Sequence, residues 1–166
     1  MRVYLMRHGV AQDRHDPAVI DDESRPLTAE GIERTRLSAH GMVTLGMSID
    51  AILSSPLVRA VQTADLLGQA LGVPKLAIEV HPALLPEADP EALLPILRNL
   101  EVESALCIGH SPHLDLIVAR LLGIPRAVTG VKKAGLVVVE AKLHSDTARL
   151  VAVYEPKTLR QLGRLK

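Results

Sequence analysis

Short apolar runs alternating with amphipathic stretches of helical length predict an α/β protein, a three-layer sandwich around a mainly parallel sheet. The strand-like runs fall at 3–6, 51–53, 76–80, 104–108, 136–141 and 150–154. The last two are separated only by the turn-like stretch His144-Ser145-Asp146-Thr147, which predicts a hairpin and so at least one antiparallel strand. A polar stretch over 11–26, rich in Asp and bounded by Pro17 and Pro26, reads as a loop beside the C-terminal end of the first strand.

The helices follow in order. Thr28 is an N-cap for a helix over 28–45, with Ile32, Thr35, Ala39 and Met42 spaced to face inward and Glu33, Arg34 and Arg36 on the opposite side. Ser55 as cap and Pro56 at the first helical position open a second helix, which Gly72 and Pro74 close; Ala60, Ala64, Leu67 and Leu71 line its buried face. A shorter helix covers 90–100. Ser111-Pro112 opens the last, with Leu114, Ile117, Val118, Leu121 and Leu122 as its apolar stripe and Gly123 and Pro125 at its end.

At 166 residues and 48% hydrophobic composition, the chain is expected to form a single domain, 1–166, with one core. Phe and Trp are absent, so aliphatic side chains must fill that core, and there is no aromatic platform on which single-stranded nucleic acid could stack. Basic and acidic residues number 19 each, which leaves no net field for a polyanion; any anion has to be met locally. Cys107, the one cysteine, lies in an apolar run and reads as a buried structural thiol. No run approaches the ~20 apolar residues of a membrane span, and the N-terminus lacks the apolar core of a signal peptide. The expectation is a soluble, cytoplasmic protein without membrane or nucleic-acid partners.

Three segments share one construction, a strand that ends in a cationic or imidazole residue as the chain turns. They are Met6-Arg7-His8-Gly9, Leu53-Ser54-Ser55-Pro56-Leu57-Val58-Arg59 and Ile108-Gly109-His110-Ser111-Pro112. Strand ends of this kind border the ligand crevice of an α/β sheet. If the strands are neighbours, two guanidinium groups, two imidazoles and two helix N-termini converge, and such a concentration of positive charge calls for an anion, most naturally a phosphoryl group. A neutral His8 can attack phosphorus while Arg7 and Arg59 hold its oxygens, and Gly9 allows close approach of the backbone. His110-x-x-His113 also has a spacing compatible with metal, but no carboxylate–histidine motif accompanies it and two arginines would repel a cation. His15, His40, His81 and His144 lack a comparable setting and read as surface or packing residues.

With Arg25-Pro26-Leu27-Thr28-Ala29-Glu30-Gly31 and Arg59-Ala60-Val61-Gln62-Thr63-Ala64 added to these segments, the chain resembles the histidine phosphatase superfamily, the phosphoglycerate mutase-like group, and within it the small SixA-type phosphohistidine phosphatases. The matching blocks run from the N-terminus to about residue 123. The resemblance implies a three-layer α/β/α sandwich with a mixed, mainly parallel six-stranded sheet and a metal-independent reaction that needs no cofactor. It further implies that His8 is the nucleophile, Arg7 and Arg59 clamp the phosphate, and His110 stabilises charge on the transferring group. Gly9, Arg25 and Ser111 are candidate substrate-binding residues, Arg25 either touching substrate or bracing its loop.

Relatives that cleave alkyl phosphates carry a glutamate acid after the third strand, where this chain has Ala83. Glu87, Asp89 and Asp13 are the remaining candidates for a general acid. An alkoxide leaving group needs such an acid, an effect of about 10²–10⁴-fold, whereas a phosphohistidine leaves as neutral imidazole after protonation of its own ring. The expected substrate is therefore a phosphohistidine protein, such as a signalling phosphotransfer domain, with inorganic phosphate as product. The alternatives are a small-molecule phosphomonoesterase acting on a sugar, nucleotide or cofactor-precursor phosphate, and a phosphate-binding module without turnover.

Overall fold

The first strand sets the architecture: Val3-Tyr4-Leu5-Met6 is apolar on both sides, as a strand covered on both faces must be. In the computed structural model, which describes residues 1–145 and 147–165, β1 (Arg2–Arg7) lies inside a six-stranded sheet. The other strands are β2 (Ala51–Ser54), β3 (Ile78–Val80), β4 (Ser104–Gly109), β5 (Leu136–Lys142) and β6 (Thr147–Tyr154), in the order β3-β2-β4-β1-β5-β6. β1, β2, β3 and β4 are parallel, whereas β5 runs antiparallel to both β1 and β6, giving the mixed sheet expected. The hairpin predicted at 144–147 joins β5 to β6, and its Asp146 lies outside the described residues.

Pleat alternation divides the core. Val3 and Leu5 of β1, with Leu53, Ala105, Cys107, Val137 and Val139 of β2, β4 and β5, pack under α3 (Leu93–Asn99) and α4 (His113–Leu121). Tyr4 and Met6, with Ile52, Leu106, Ile108, Leu136 and Val138, pack on the other face under α1 (Ala29–Thr44), α2 (Val58–Leu71) and α5 (Pro156–Leu162). The result is a three-layer α/β/α sandwich. Buried in β4, the Cys107 thiol has its pKa pushed up to about 12 by desolvation, in keeping with a structural role. No helix among the described residues is long and apolar enough to cross a membrane.

Several local expectations meet the structure directly. Thr28 caps α1 through its side chain, accepting from Gly31 N–H at 2.9 Å, and Gly72 ends α2 in the left-handed region at φ 70°. Ile32 is only half-buried, and Gly31, Ser38 and Gly41 share the inner face of α1 with Thr35, Ala39 and Met42. The third strand is shorter than its apolar run, because Pro74 leads into a turn of 3₁₀ helix at Lys75–Ala77. Neither Ser55 nor Ser111 caps a helix through its side chain: α2 starts at Val58 after Leu57, and α4 at His113 after Pro112. Both hydroxyls are used elsewhere.

Candidate active site

The sheet order places the C-terminal ends of β2, β4 and β1 side by side, so the three turns identified in the sequence are neighbours. The parallel ladders continue one residue beyond the strands: His8 N–H donates to Gly109 O at 3.0 Å and Ser55 N–H to Ile108 O at 2.9 Å. This locks the register of the turns. Arg7, His8, Arg25, Arg59, His110 and Ser111 all line one cavity of about 480 Å³. A cavity of similar size, about 470 Å³, lies around Arg2, Asp50 and Glu103 and contains none of these residues.

His8 and His110 are buried, with ring centroids 5.0 Å apart and a 54° tilt. The Nδ1 of His8 is 2.7 Å from Gly9 O. A carbonyl only accepts, so Nδ1 carries the proton and Nε2 keeps its lone pair. Desolvation, followed by the charges of His110, Arg59 and Arg7, lowers the His8 pKa to about 3 against the opposing pull of the Gly9 carbonyl. Burial, then Arg59, His113 and Arg7, lowers that of His110 to about 3 against the opposing pull of Asp22. Both rings are neutral at pH 7. His110 Nε2 lies 2.8 Å from Ser55 Oγ, a contact that fixes the rotation of the ring and explains why Ser55 is not a helix cap.

Arg59 projects from the first turn of α2, where side chains lean back over the strand end. Its Nη1 donates to Asp22 O at 2.6 Å and its Nη2 to Asp22 Oδ2 at 2.9 Å. The other oxygen of the same carboxylate receives Arg25, with Nε at 2.9 Å and Nη2 at 2.7 Å, while Arg25 Nη1 donates to Gln12 O. Arg25 thus lines the cavity and also braces the loop. On the other side, Arg7 Nη1 donates to Val131 O at 3.2 Å, and Ser111 Oγ donates to the same carbonyl at 3.0 Å. Buried Asp115 holds that loop by accepting from Val131 N–H and from Thr129 Oγ1. The Nε atoms of Arg7 and Arg59 are buried without a hydrogen-bond partner in the protein. Donors of this kind are rare in native structures and are suited to an oxyanion.

Gly9 has a different use from the one expected. It does not line the cavity; its N–H donates to Thr63 Oγ1 at 3.1 Å, and Thr63 in turn donates to Arg59 O at 2.7 Å, tying α2 to the turn after β1. A Cβ at Gly9 would sit 2.3 Å from Thr35 Oγ1, so the close approach is to α1 and not to a ligand. Glu87 and Asp89 also fall outside the cavity lining, where Pro86 stands instead, and Asp89 caps the 3₁₀ turn at Pro90–Ala92. Ala83 is buried in the core under α3 and α4. Of the three acid candidates only Asp13 reaches the rim, where the His15 backbone N–H lowers its pKa and keeps it ionised. His15, read from the sequence as a surface or packing residue, lines the rim as well.

The sequence reading missed Asp22, Asp115, Lys133 and the hydroxyls of Ser55 and Thr63. Asp22-x-x-Arg25 was a visible signal, and Asp115 among the inward-facing positions of α4 was another. The carboxylate of Asp22 is half exposed; desolvation raises its pKa, but hydrogen bonds and charges from Arg59 and then Arg25 outweigh this and lower it, so it too is ionised. Among the described residues no group of three or more His, Cys, Asp or Glu is placed to hold a metal ion.

A three-layer sandwich that gathers arginines and imidazoles at the carboxyl ends of its central strands defines an α/β enzyme built for an oxyanion substrate. A profile of the Histidine phosphatase superfamily (branch 1) matches residues 3–85. The phosphohistidine phosphatase SixA of Escherichia coli is 40% identical over 124 residues, which cover 73% of this chain and 74% of SixA. A solved structure of the protein histidine phosphatase SixA complexed with tungstate superposes with a TM-score of 0.85 at 30% identity, over 96% of this chain and 99% of the other. Adenosylcobalamin/alpha-ribazole phosphatase of Escherichia coli is 37% identical over 84 residues, 51% of this chain and 39% of that protein. The chain belongs to the histidine phosphatase superfamily, and it is a phosphatase.

Proposed function

We propose that this phosphatase hydrolyses phosphohistidine carried by another protein, in two steps through a phosphohistidine on its own His8. The observation that carries the reading is a neutral imidazole with a free Nε2 lone pair in the same cavity as two arginines whose buried Nε donors lack protein partners. In the first step Nε2 bonds to phosphorus, the substrate N–P bond breaks, and the substrate imidazole leaves with a proton acquired on its own ring. Arg7 and Arg59 hold the phosphoryl oxygens, and His110 donates to the charge that builds on them. In the second step water attacks phosphorus, inorganic phosphate departs and the neutral His8 returns.

The ionised state of the acids near the cavity supports an N–P substrate. Asp13 and Asp22 are both held as carboxylates, and Glu87 and Asp89 stand outside the cavity lining, so among the described residues no protonated carboxylic acid lines the cavity to serve an alkoxide. Similarity to SixA, and a neighbour that accommodates tungstate, a tetrahedral dianion like phosphate, favour the same reading. A small phosphate ester is the second reading, favoured by the partial similarity to an alpha-ribazole phosphatase.

A substrate panel separates the two. A phosphohistidine peptide is expected to be hydrolysed with a kcat/KM at least about 10²-fold above that of alkyl phosphates, the size of a missing general acid. Preference for an alkyl ester overturns the assignment.

A further inference from the structure

Positive charge continues beyond the catalytic cavity into a second one. Arg7, Arg34, Lys132, Lys133 and Arg160 surround a cavity of about 340 Å³ on whose wall no carboxylate stands among the described residues. Arg7 and Lys133 also line the catalytic cavity, so the two share a wall. Because the chain has equal numbers of acidic and basic residues, this concentration is a local feature and not a by-product of a basic composition.

The pairing around this cavity is incomplete. Arg34 holds the Glu30 carboxylate, and Lys132 Nζ lies 2.8 Å from Glu155 Oε2. Arg7, Lys133 and Arg160 have no ion-pair partner among the described residues. Burial, then Arg34 and Arg164, lowers the pKa of Arg160 against the pull of Glu30, and burial, then Arg7 and Arg25, lowers that of Lys133 against the pull of Asp13. Helix α1 supplies Arg34, α5 supplies Arg160 and the turn before β5 supplies the lysines, so cations from three separate elements border this cavity. Paired and unpaired cations share its wall, which leaves room for carboxylates from outside to complete the pattern.

We propose that this second cavity docks carboxylates on the surface of an acidic phosphoprotein, placed beside the phosphohistidine that enters the catalytic cavity. The inference rests on the reading of a phosphohistidine protein as substrate and narrows it to proteins with Asp or Glu flanking the modified histidine. Charge complementarity of this kind acts on encounter and on KM, and salt weakens it.

The test uses the full-length protein, with Arg160→Glu and the milder Arg160→Gln, and two phosphohistidine peptides that differ only in flanking Asp/Glu against Asn/Gln. The wild type is expected to prefer the acidic peptide through KM, with the preference fading at about 0.5 M salt. In Arg160→Glu the acidic-to-neutral ratio of kcat/KM is expected to fall at least about fivefold, and a peptide with flanking Lys is expected to recover the loss. Equal ratios in the wild type and both variants overturn the subsite. A second arm needs no phosphohistidine: an unphosphorylated acidic peptide should inhibit p-nitrophenyl phosphate hydrolysis by the wild type at least about fivefold more strongly than by Arg160→Glu. Equal inhibition also overturns the subsite. A wild type inert towards both phosphohistidine peptides overturns the proposed function, and the inhibition arm still decides the subsite.

Discussion

Burial of His8 does two things at once. It removes the imidazolium, with a pKa of about 3, and it forces Nδ1–H onto the Gly9 carbonyl, which leaves Nε2 as the one basic atom of the ring. His110 depends on a comparable restraint from Ser55, whose hydroxyl lies 2.8 Å from Nε2. Ser55→Ala is expected to lower kcat about tenfold, the value of one buried hydrogen bond to a reacting group, with little effect on KM. Steady-state kinetics beside a melting curve checks this, and an unchanged kcat in a folded variant contradicts the positioning role. The pairing of Asp22 with Arg59, unlike its i, i+3 pairing with Arg25, leaves no local signal in the sequence. Asp22 lies 37 positions from Arg59, and only the folded loop brings the two together.

Among the elements, α1 and α5 show how closely the layers are fitted. A Cβ at Gly41 would lie 2.1 Å from Leu159 O, a backbone atom with no freedom to rotate away. Gly→Ala inside a helix gains about 1 kcal/mol from propensity, and overpacking against backbone costs about 1–3 kcal/mol or more. The clash is the larger effect, so Gly41→Ala is expected to destabilise the fold by about 1–2 kcal/mol, read as a lower midpoint in urea. A gain in stability would mean that α5 is free to shift. Element type was largely legible in the sequence because apolar period and caps are local signals; Thr28 and Gly72 are the clearest cases. Ser55 and Ser111 misled for a physical reason. Ser-Pro before an apolar stripe has the form of a helix start, but here the hydroxyls serve His110 and the Val131 carbonyl, partners that exist only after folding. Arg7, His8, Arg59 and His110 could be placed from sequence because each sits at a strand end whose neighbours topology fixes. The acid candidates could not, since loop geometry decides whether Glu87 or Asp13 faces the cavity.

For the molecule as a whole, neutral buried histidines tie stability to pH. Unfolded, His8 and His110 titrate near the ordinary imidazole value of about 6.5, and folded near about 3. Between these values the unfolded chain binds more protons, so stability is complete above about pH 6.5 and falls as pH drops towards 3. The slope is up to about 1.4 kcal/mol per pH unit for each histidine, and His113, whose pKa burial also lowers, adds in the same direction. Urea denaturation at pH 7 and pH 5 should show the loss, and equal stability at both would contradict the neutral rings. Phosphate, held by the same arginines, should raise the midpoint at either pH. Whether His8 itself carries the phosphoryl group is read by quenching the enzyme in base during turnover of a radiolabelled phosphodonor and mapping the label. An acid-labile phosphoryl group on His8, absent from His8→Ala, is the expected result; a label on another residue, or one that persists in His8→Ala, contradicts a phospho-His8 intermediate.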